Sequence, residues 1–346
     1  MEQVSKHRIN WIDTAKGICI LLVVLQHVSN FTHIDYPLKN DFLTFRMPLY
    51  FILSGLFFKT YDGLIGFVKR KINKLIIPYL FFFAVGGVIL PVLLYQFWGI
   101  RISSYKNYGF EAFALVFSEN TICNPSIWFL FCLFEVNILF FIVQLLANHL
   151  RYKNELVVIT ILSFLCGCFG IFMYMQNINL PYLLDSAFST LPFFYFGWLL
   201  RNKTNFLYWE NTTKNIVLTL LLISVSTLFI HFFNHGSLSI RLNSYGGNLG
   251  VIEFYPYGII GTLCVLSLAR IAGNIPFVSY LGRYSIIVLC THAYVIQFSS
   301  WMTSVFCVKS LSVVFLVTSI ICFAVIPFFK RYLGVFTAQK DLIKVK

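Results

Sequence analysis

An aspartate, a lysine and a histidine interrupt an apolar run near the start of the chain, DTAKGICILLVVLQH, residues 13–27. On a straight α-helix Lys16 and His27 lie within about 20° of one face and about 16 Å apart along the axis. Asp13 sits one turn before Lys16, roughly on its side. An imidazole in this setting is a base, a proton carrier or a ligand. The structural alternative is a neutral ring buried with one nitrogen donating and the other accepting. Asp13 and Lys16 also have a local alternative: they pair at i,i+3 and snorkel to headgroups at the helix end.

The element that carries these groups belongs to a membrane. The 346 residues are 58% hydrophobic, 18% aromatic and 11% charged, with a mean hydropathy of +0.79. A soluble chain has about 25% charged residues. The expectation is an all-α, polytopic membrane helix bundle, with residues 1–346 forming one domain. Ten apolar stretches approach the roughly 20 residues that cross a bilayer. They run over 12–32, 42–58, 75–98, 126–148, 156–175, 185–200, 215–233, 251–271, 284–304 and 310–329, the sixth being short. Span 1 is too long and too charged for a signal peptide and is read as a helix of the mature protein.

Charge placement orients the bundle. The net charge is +13. With both termini cytoplasmic, 20 of the 26 Lys and Arg residues fall in inner segments, including Lys59, Lys69, Arg70, Lys71 and Lys74 after span 2. That bias follows the positive-inside rule and explains the basic balance without nucleic acid as a partner. The 9 cysteines include no C-x-x-C pair. Only Cys123 and Cys307 fall near the outer surface; a bridge between them is open, with unpaired membrane thiols the default.

Asp13-Thr-Ala-Lys16-Gly17 followed by His27 resembles the first-helix signature of the acyltransferase-3 family, integral-membrane acyltransferases of bacterial cell-surface glycans. The basic residue, often arginine in that family, is lysine here, a point charge rather than a planar fork. MPLYFILSGLFF (47–58) is similar to the family's second helix, and VKRKINKLIIPYL (68–80) to the basic entry to its third, with Lys71 and Lys74 in place of arginines. SIWFLFCLFEVNILF (126–140), LPFFYFGWLL (191–200) and YLGRYSIIVLCTHAYVI (280–296) resemble later helices in order.

The resemblance implies O-acyl transfer, with acyl-CoA (acetyl-CoA by family habit) as donor and a hydroxyl of a cell-surface or lipid-linked glycan as acceptor, in the bacterial cell membrane, with no metal. Such chemistry needs a base, a held donor and a stabilised oxyanion. His27 is the expected base, with Lys16 and Asp13 completing the catalytic set. Direct transfer is preferred over an acyl-histidine relay. Arg70, Lys71 and Lys74 are the expected phosphate contacts on the cytoplasmic side, although the same charges also serve topology. A pantetheine arm of roughly 15–20 Å matches the Lys16–His27 separation.

Arg46, Glu135, Glu253 and His292 are the remaining polar candidates for binding substrate, since ionisable groups within spans are functional suspects. Glu135 or Glu253 is a candidate partner for the second ring nitrogen of His27; the alternative is a bond that fixes helix packing. Trp128, Tyr255 and Tyr257 are read as interfacial anchors, with a sugar platform as the other option. His231 and His235 are read as surface histidines, too few for zinc. Two further classes stay open: a proton-coupled transporter or flippase of a glycan precursor, and a structural subunit of an envelope assembly.

Overall fold

The computed structural model describes residues 9–60, 63–89, 126–150, 154–204, 206, 213–234, 238–308 and 310–344. The described elements are helical, with a single isolated bridge between Ser239 and Ser244. The helices are α1 (Asn10–Thr32), α2 (Lys39–Leu56), α3 (Gly63–Lys71), α4 (Ile77–Phe83), α5 (Trp128–His149) and α6 (Glu155–Met175). They continue as α7 (Leu184–Lys203), α8 (Thr213–Phe233), α9 (Asn248–Ala272), α10 (Pro276–Arg283), α11 (Ser285–Val305) and α12 (Leu311–Tyr332).

Eight described helices are long and apolar enough to cross a membrane: α1, α5, α6, α7, α8, α9, α11 and α12. The second expected span coincides with α2, whose 18 residues include Lys39, Asp41 and Arg46. The third begins on a stretch that alternates between π-helix (Ile72–Ile76, Ala84–Ile89) and α4, and its continuation to residue 98 lies outside the described residues. The sixth is longer than expected, because α7 runs on through Arg201 and Lys203; Arg201 donates to the Leu56 carbonyl at 3.0 Å.

The outer faces confirm the solvent. On α8, Val217, Leu221, Leu222, Val225, Phe232 and Phe233 are all exposed. Continuous exposed apolar surface on this scale is tolerated in lipid and not in water. The chain is a multi-pass membrane protein. Lipid is as apolar as leucine, so the helices are held together by close backbone approach and buried hydrogen bonds rather than by hydrophobic burial.

Glycines make those approaches. A Cβ at Gly17 of α1 would collide with the Val278 carbonyl of α10, and one at Gly282 of α10 with the Asp13 carbonyl of α1. Thr14 adds a bond of 2.6 Å to the Gly273 carbonyl and lies 2.7 Å from the Ser279 hydroxyl. The α2–α7 crossing is built the same way, with Gly55 against the Phe194 carbonyl and Gly197 against the Ile52 carbonyl. Pro48, Pro192 and Pro256 lie inside helices, which membrane bundles tolerate.

Replacing Gly197 by leucine forces α7 off α2. The expected loss is about 1–3 kcal/mol, the usual range for overpacking, read as a lowered unfolding midpoint in detergent micelles. An unchanged midpoint would show that the two helices are not in backbone contact.

Candidate active site

Two of the cavities among the described residues lie towards opposite ends of α1. Lys16 lines one and His27 the other.

The basic cavity has a volume of about 520 Å³. Its cations are Lys16 from α1, Arg70 and Lys71 from α3, Lys74 from the π-turn and Arg283 from the end of α10. The extra residue of the π-turn projects Asn73 and Lys74 towards the C-terminal segment. Asn73 clamps that segment: its Oδ1 accepts from the Leu342 and Ile343 amides at 3.0 and 2.9 Å, and its Nδ2 donates to the Ile343 carbonyl at 2.8 Å. Lys74 Nζ donates to the Ala338 carbonyl at 2.8 Å and lies 2.9 Å from Asp341 Oδ1. Lys16 Nζ lies 5.0 Å above the Phe57 ring. Burial pushes the Lys71 ammonium down to about 8. Asp13 is buried, and its carbonyl faces Gly282.

The histidine cavity is smaller, about 220 Å³, and His27, Arg46, Ser126, Trp128 and Arg241 contribute to its wall. His27 Nε2 lies 3.2 Å from Ser126 Oγ, and the same oxygen lies 3.0 Å from His292 Nε2. His292 Nδ1 lies 2.9 Å from the Val288 carbonyl. A carbonyl only accepts, so His292 Nδ1 carries the proton. With that ring neutral, its Nε2 is a lone pair and must accept from Ser126. The serine's single hydroxyl proton is then spent. The contact to His27 is therefore a hydrogen bond with His27 Nε2 as donor. His27 Nδ1 is left as the basic nitrogen, with no partner among the described residues.

The two cavities share part of their walls. Phe129 and Leu289 line both. Phe129 is fixed by Tyr50 and Phe51, with ring centroids 5.2 and 5.3 Å away.

The structure therefore gathers Lys16, Arg70, Lys71 and Lys74 in one place, and His27, Arg46 and His292 in another. It does not bring Glu135 or Glu253 to the histidine cavity. Glu135 is buried on α5 with Oε2 lacking a hydrogen bond among the described residues, and its acidic neighbour is Asp185 of α7. Glu253 is part-exposed on α9, near Tyr257. Ser126 meets the imidazole instead. Trp128, expected as an interfacial anchor, stands in the cavity wall. Tyr255 and Tyr257 donate to the Ser189 and Phe233 carbonyls at 2.9 and 3.1 Å, so they tie helices together. His231 Nδ1 pairs with Asp41 at 2.8 Å; His235 and Cys123 lie outside the described residues. Ser126, Arg241 and Arg283 escape sequence reasoning. Each is a single polar residue at an element end or in a loop, with no spacing to mark it.

The proton assignment has a direct check. Nitrogen-15 NMR of histidine-labelled protein in nanodiscs should find His27 in the Nε2–H form and His292 in the Nδ1–H form. Ser126→Ala should release His27 into a mixture of tautomers. Finding the same tautomer at both rings would contradict the chain of bonds.

Residues 9–329 match the model of the acyltransferase-3 family, described as an acyltransferase domain, over nearly the whole chain. No curated protein and no solved structure matches it.

Proposed function

This chain belongs to the acyltransferase-3 family, and from that premise we propose that it moves an acyl group, acetyl in the simplest case, from acyl-CoA to a hydroxyl of a cell-surface or lipid-linked glycan, with His27 as general base. The observation that carries the reading is the pairing of two cavities along one helix, one lined by five cations and the other by an imidazole with its Nδ1 left basic. Phosphates of CoA suit the first, and a hydroxyl acceptor suits the second. The basic cavity is taken to be cytoplasmic, where Arg70, Lys71, Lys74 and Arg283 obey the positive-inside rule. The protein then sits in the bacterial cell membrane as one catalytic domain.

In this mechanism the cations hold the donor while its pantetheine arm reaches past Phe129 and Leu289. His27 Nδ1 takes the acceptor's hydroxyl proton as the oxygen attacks the thioester carbonyl. The tetrahedral adduct collapses by breaking the C–S bond. The imidazolium returns the proton to the leaving thiolate, so the products are the ester and free CoA thiol. Ser126 and His292 hold the ring and spread the transient positive charge along a hydrogen-bonded chain. They are positioning residues. Orientation of the thioester against the hydroxyl supplies the rest of the acceleration.

Purified protein in nanodiscs, given acetyl-CoA and a membrane-derived glycan extract, tests the reading. His27→Ala should cut transfer by about 10²–10⁴-fold, the usual worth of a general base, with acetyl-CoA binding retained. Transfer at the normal rate would overturn it. Glycan counterflow in liposomes without acyl-CoA would favour the transporter instead.

Donor binding should also depend on pH. Lys71 loses its proton near 8, where a free lysine does so at 10.5, so the basic cavity loses one positive charge as pH rises through that value. Acyl-CoA affinity should fall between pH 7 and pH 9, measured by calorimetry. Lys71→Arg, which stays charged, should flatten the profile; an unchanged slope would remove Lys71 from the phosphate contacts.

A further inference from the structure

Two arginines flank the imidazole, and they bear on what the acceptor must be. Arg46 comes from the middle of α2 and Arg241 from the short turn Ile240–Leu242, so two separate elements bring an arginine to the wall of one cavity of about 220 Å³. Arg46 Nε and Nη1 are sealed from solvent and make no hydrogen bond among the described residues. A guanidinium with N–H groups left unmet inside a bundle is costly unless something anionic completes it. Among the described residues of this wall there is no Asp or Glu to do so. The basic cavity differs, since Asp341 stands among its cations and pairs with Lys74. A bidentate fork is also the geometry that recognises a carboxylate or a phosphate, and it is poorly suited to a lone neutral hydroxyl. Trp128 adds a flat apolar face to the same wall, on which a sugar ring can rest.

Building on the proposed acyl transfer, we infer that the acceptor is an acidic saccharide, whose carboxylate or phosphate seats on Arg46 and Arg241 and so presents a neighbouring hydroxyl to His27 Nδ1. The small volume limits the site to the reacting end of the glycan, because ligand pockets for larger molecules usually start at about 300 Å³. The anion fixes register; Trp128 and the apolar side chains Leu43, Met47 and Leu238 contact the ring face.

A competing use of Arg46 is to stabilise the oxyanion of the tetrahedral adduct. The two roles separate in kinetics. An oxyanion donor acts on every acceptor alike through kcat, whereas an anchor acts through KM on acidic acceptors. The test uses three acceptors with acetyl-CoA and protein in nanodiscs: a neutral methyl hexoside, the matching methyl hexuronate, and a glycosyl phosphate carried on a short polyprenyl chain. At least one acidic acceptor should exceed the neutral one by tenfold or more in kcat/KM, and the arm that does so names the anion. Arg46→Gln and Arg241→Gln should each collapse that acidic-to-neutral ratio to about one by raising KM, and added salt should do the same in part. Equal rates on acidic and neutral acceptors, or an equal fall in kcat on all three, would overturn the inference.

Calorimetry on the His27→Ala protein, which lacks the base, keeps this distinct from the acyl-transfer reading. Binding of the hexuronate or glycosyl phosphate at least tenfold tighter than the neutral hexoside, weakened by Arg46→Gln, supports the subsite even where no acylation is found. Equal binding of all three refutes it even where acylation is robust. The thermal midpoint of each arginine variant is recorded alongside, so that an unfolded sample is recognised; Arg46→Lys, which keeps the charge and loses the fork, then serves as the second variant and should lower the ratio several-fold.

Discussion

Everything in the bundle is referred to the contact between α1 and α10. Gly17 and Gly282 let the two backbones touch, and Thr14 pins the same stretch to Gly273 and Ser279. α1 carries Lys16 and His27 at its two ends, so fixing its height and rotation fixes both cavities at once. A slip of one residue would turn a helix side chain by about 100°. Lys16 would leave the basic cavity, and His27 would lose Ser126. In lipid there is no hydrophobic penalty to resist such a slip, because an apolar face is as comfortable against acyl chains as against another helix. The resistance comes from steric contact at the glycines and from polar bonds with nowhere else to go.

That same physics decides what was legible in the sequence. Spans were legible because a bilayer demands long apolar runs, and apart from the third, which continues outside the described residues, the expected stretches match observed helices to within three residues. Lys16 and His27 were legible because charge in a span is rare and eleven residues is close to three turns. The groups that surround the imidazole were not. Glu135 is as conspicuous in sequence as His27, yet periodicity gives only the face within one helix and says nothing of how that helix is rotated against its neighbours. The rotation of α5 turns Glu135 towards Asp185 and leaves Ser126, just ahead of its first turn, to meet the imidazole. Arg241 comes from a short turn between helices, and the 338–341 wall of the basic cavity follows the last span. Both lie outside any apolar run, where the sequence carries no period to read.

The histidine pair shows why the neutral bonds matter. A ring with both nitrogens bonded to protein would be structural, the alternative weighed for His27 at the outset. Here the bonds run in one direction, from His27 through Ser126 and His292 to the Val288 carbonyl. Each donor is matched to one acceptor, and the only nitrogen the sequence of bonds leaves over is His27 Nδ1. A terminal carbonyl therefore sets the tautomer of a ring two residues away in the chain of bonds. In the proposed reaction this makes the base ready before substrate arrives, so none of the binding energy is diverted to turning the ring.

The wall between the cavities completes the logic. Phe129 and Leu289 are the shared surface, and Phe129 is braced by Tyr50 and Phe51. In the proposed reaction a thioester entering from the basic side must pass this apolar partition to reach Nδ1. On that proposal the cations at the far end hold the donor by its charged portion, so the narrow, uncharged arm is the part presented to the partition. Charge on one side, an imidazole on the other and apolar side chains between them would, in that reaction, separate holding the donor from reacting with it. A membrane enzyme that draws its donor from one compartment and its acceptor from another needs that separation, because a continuous polar path would also leak water and ions.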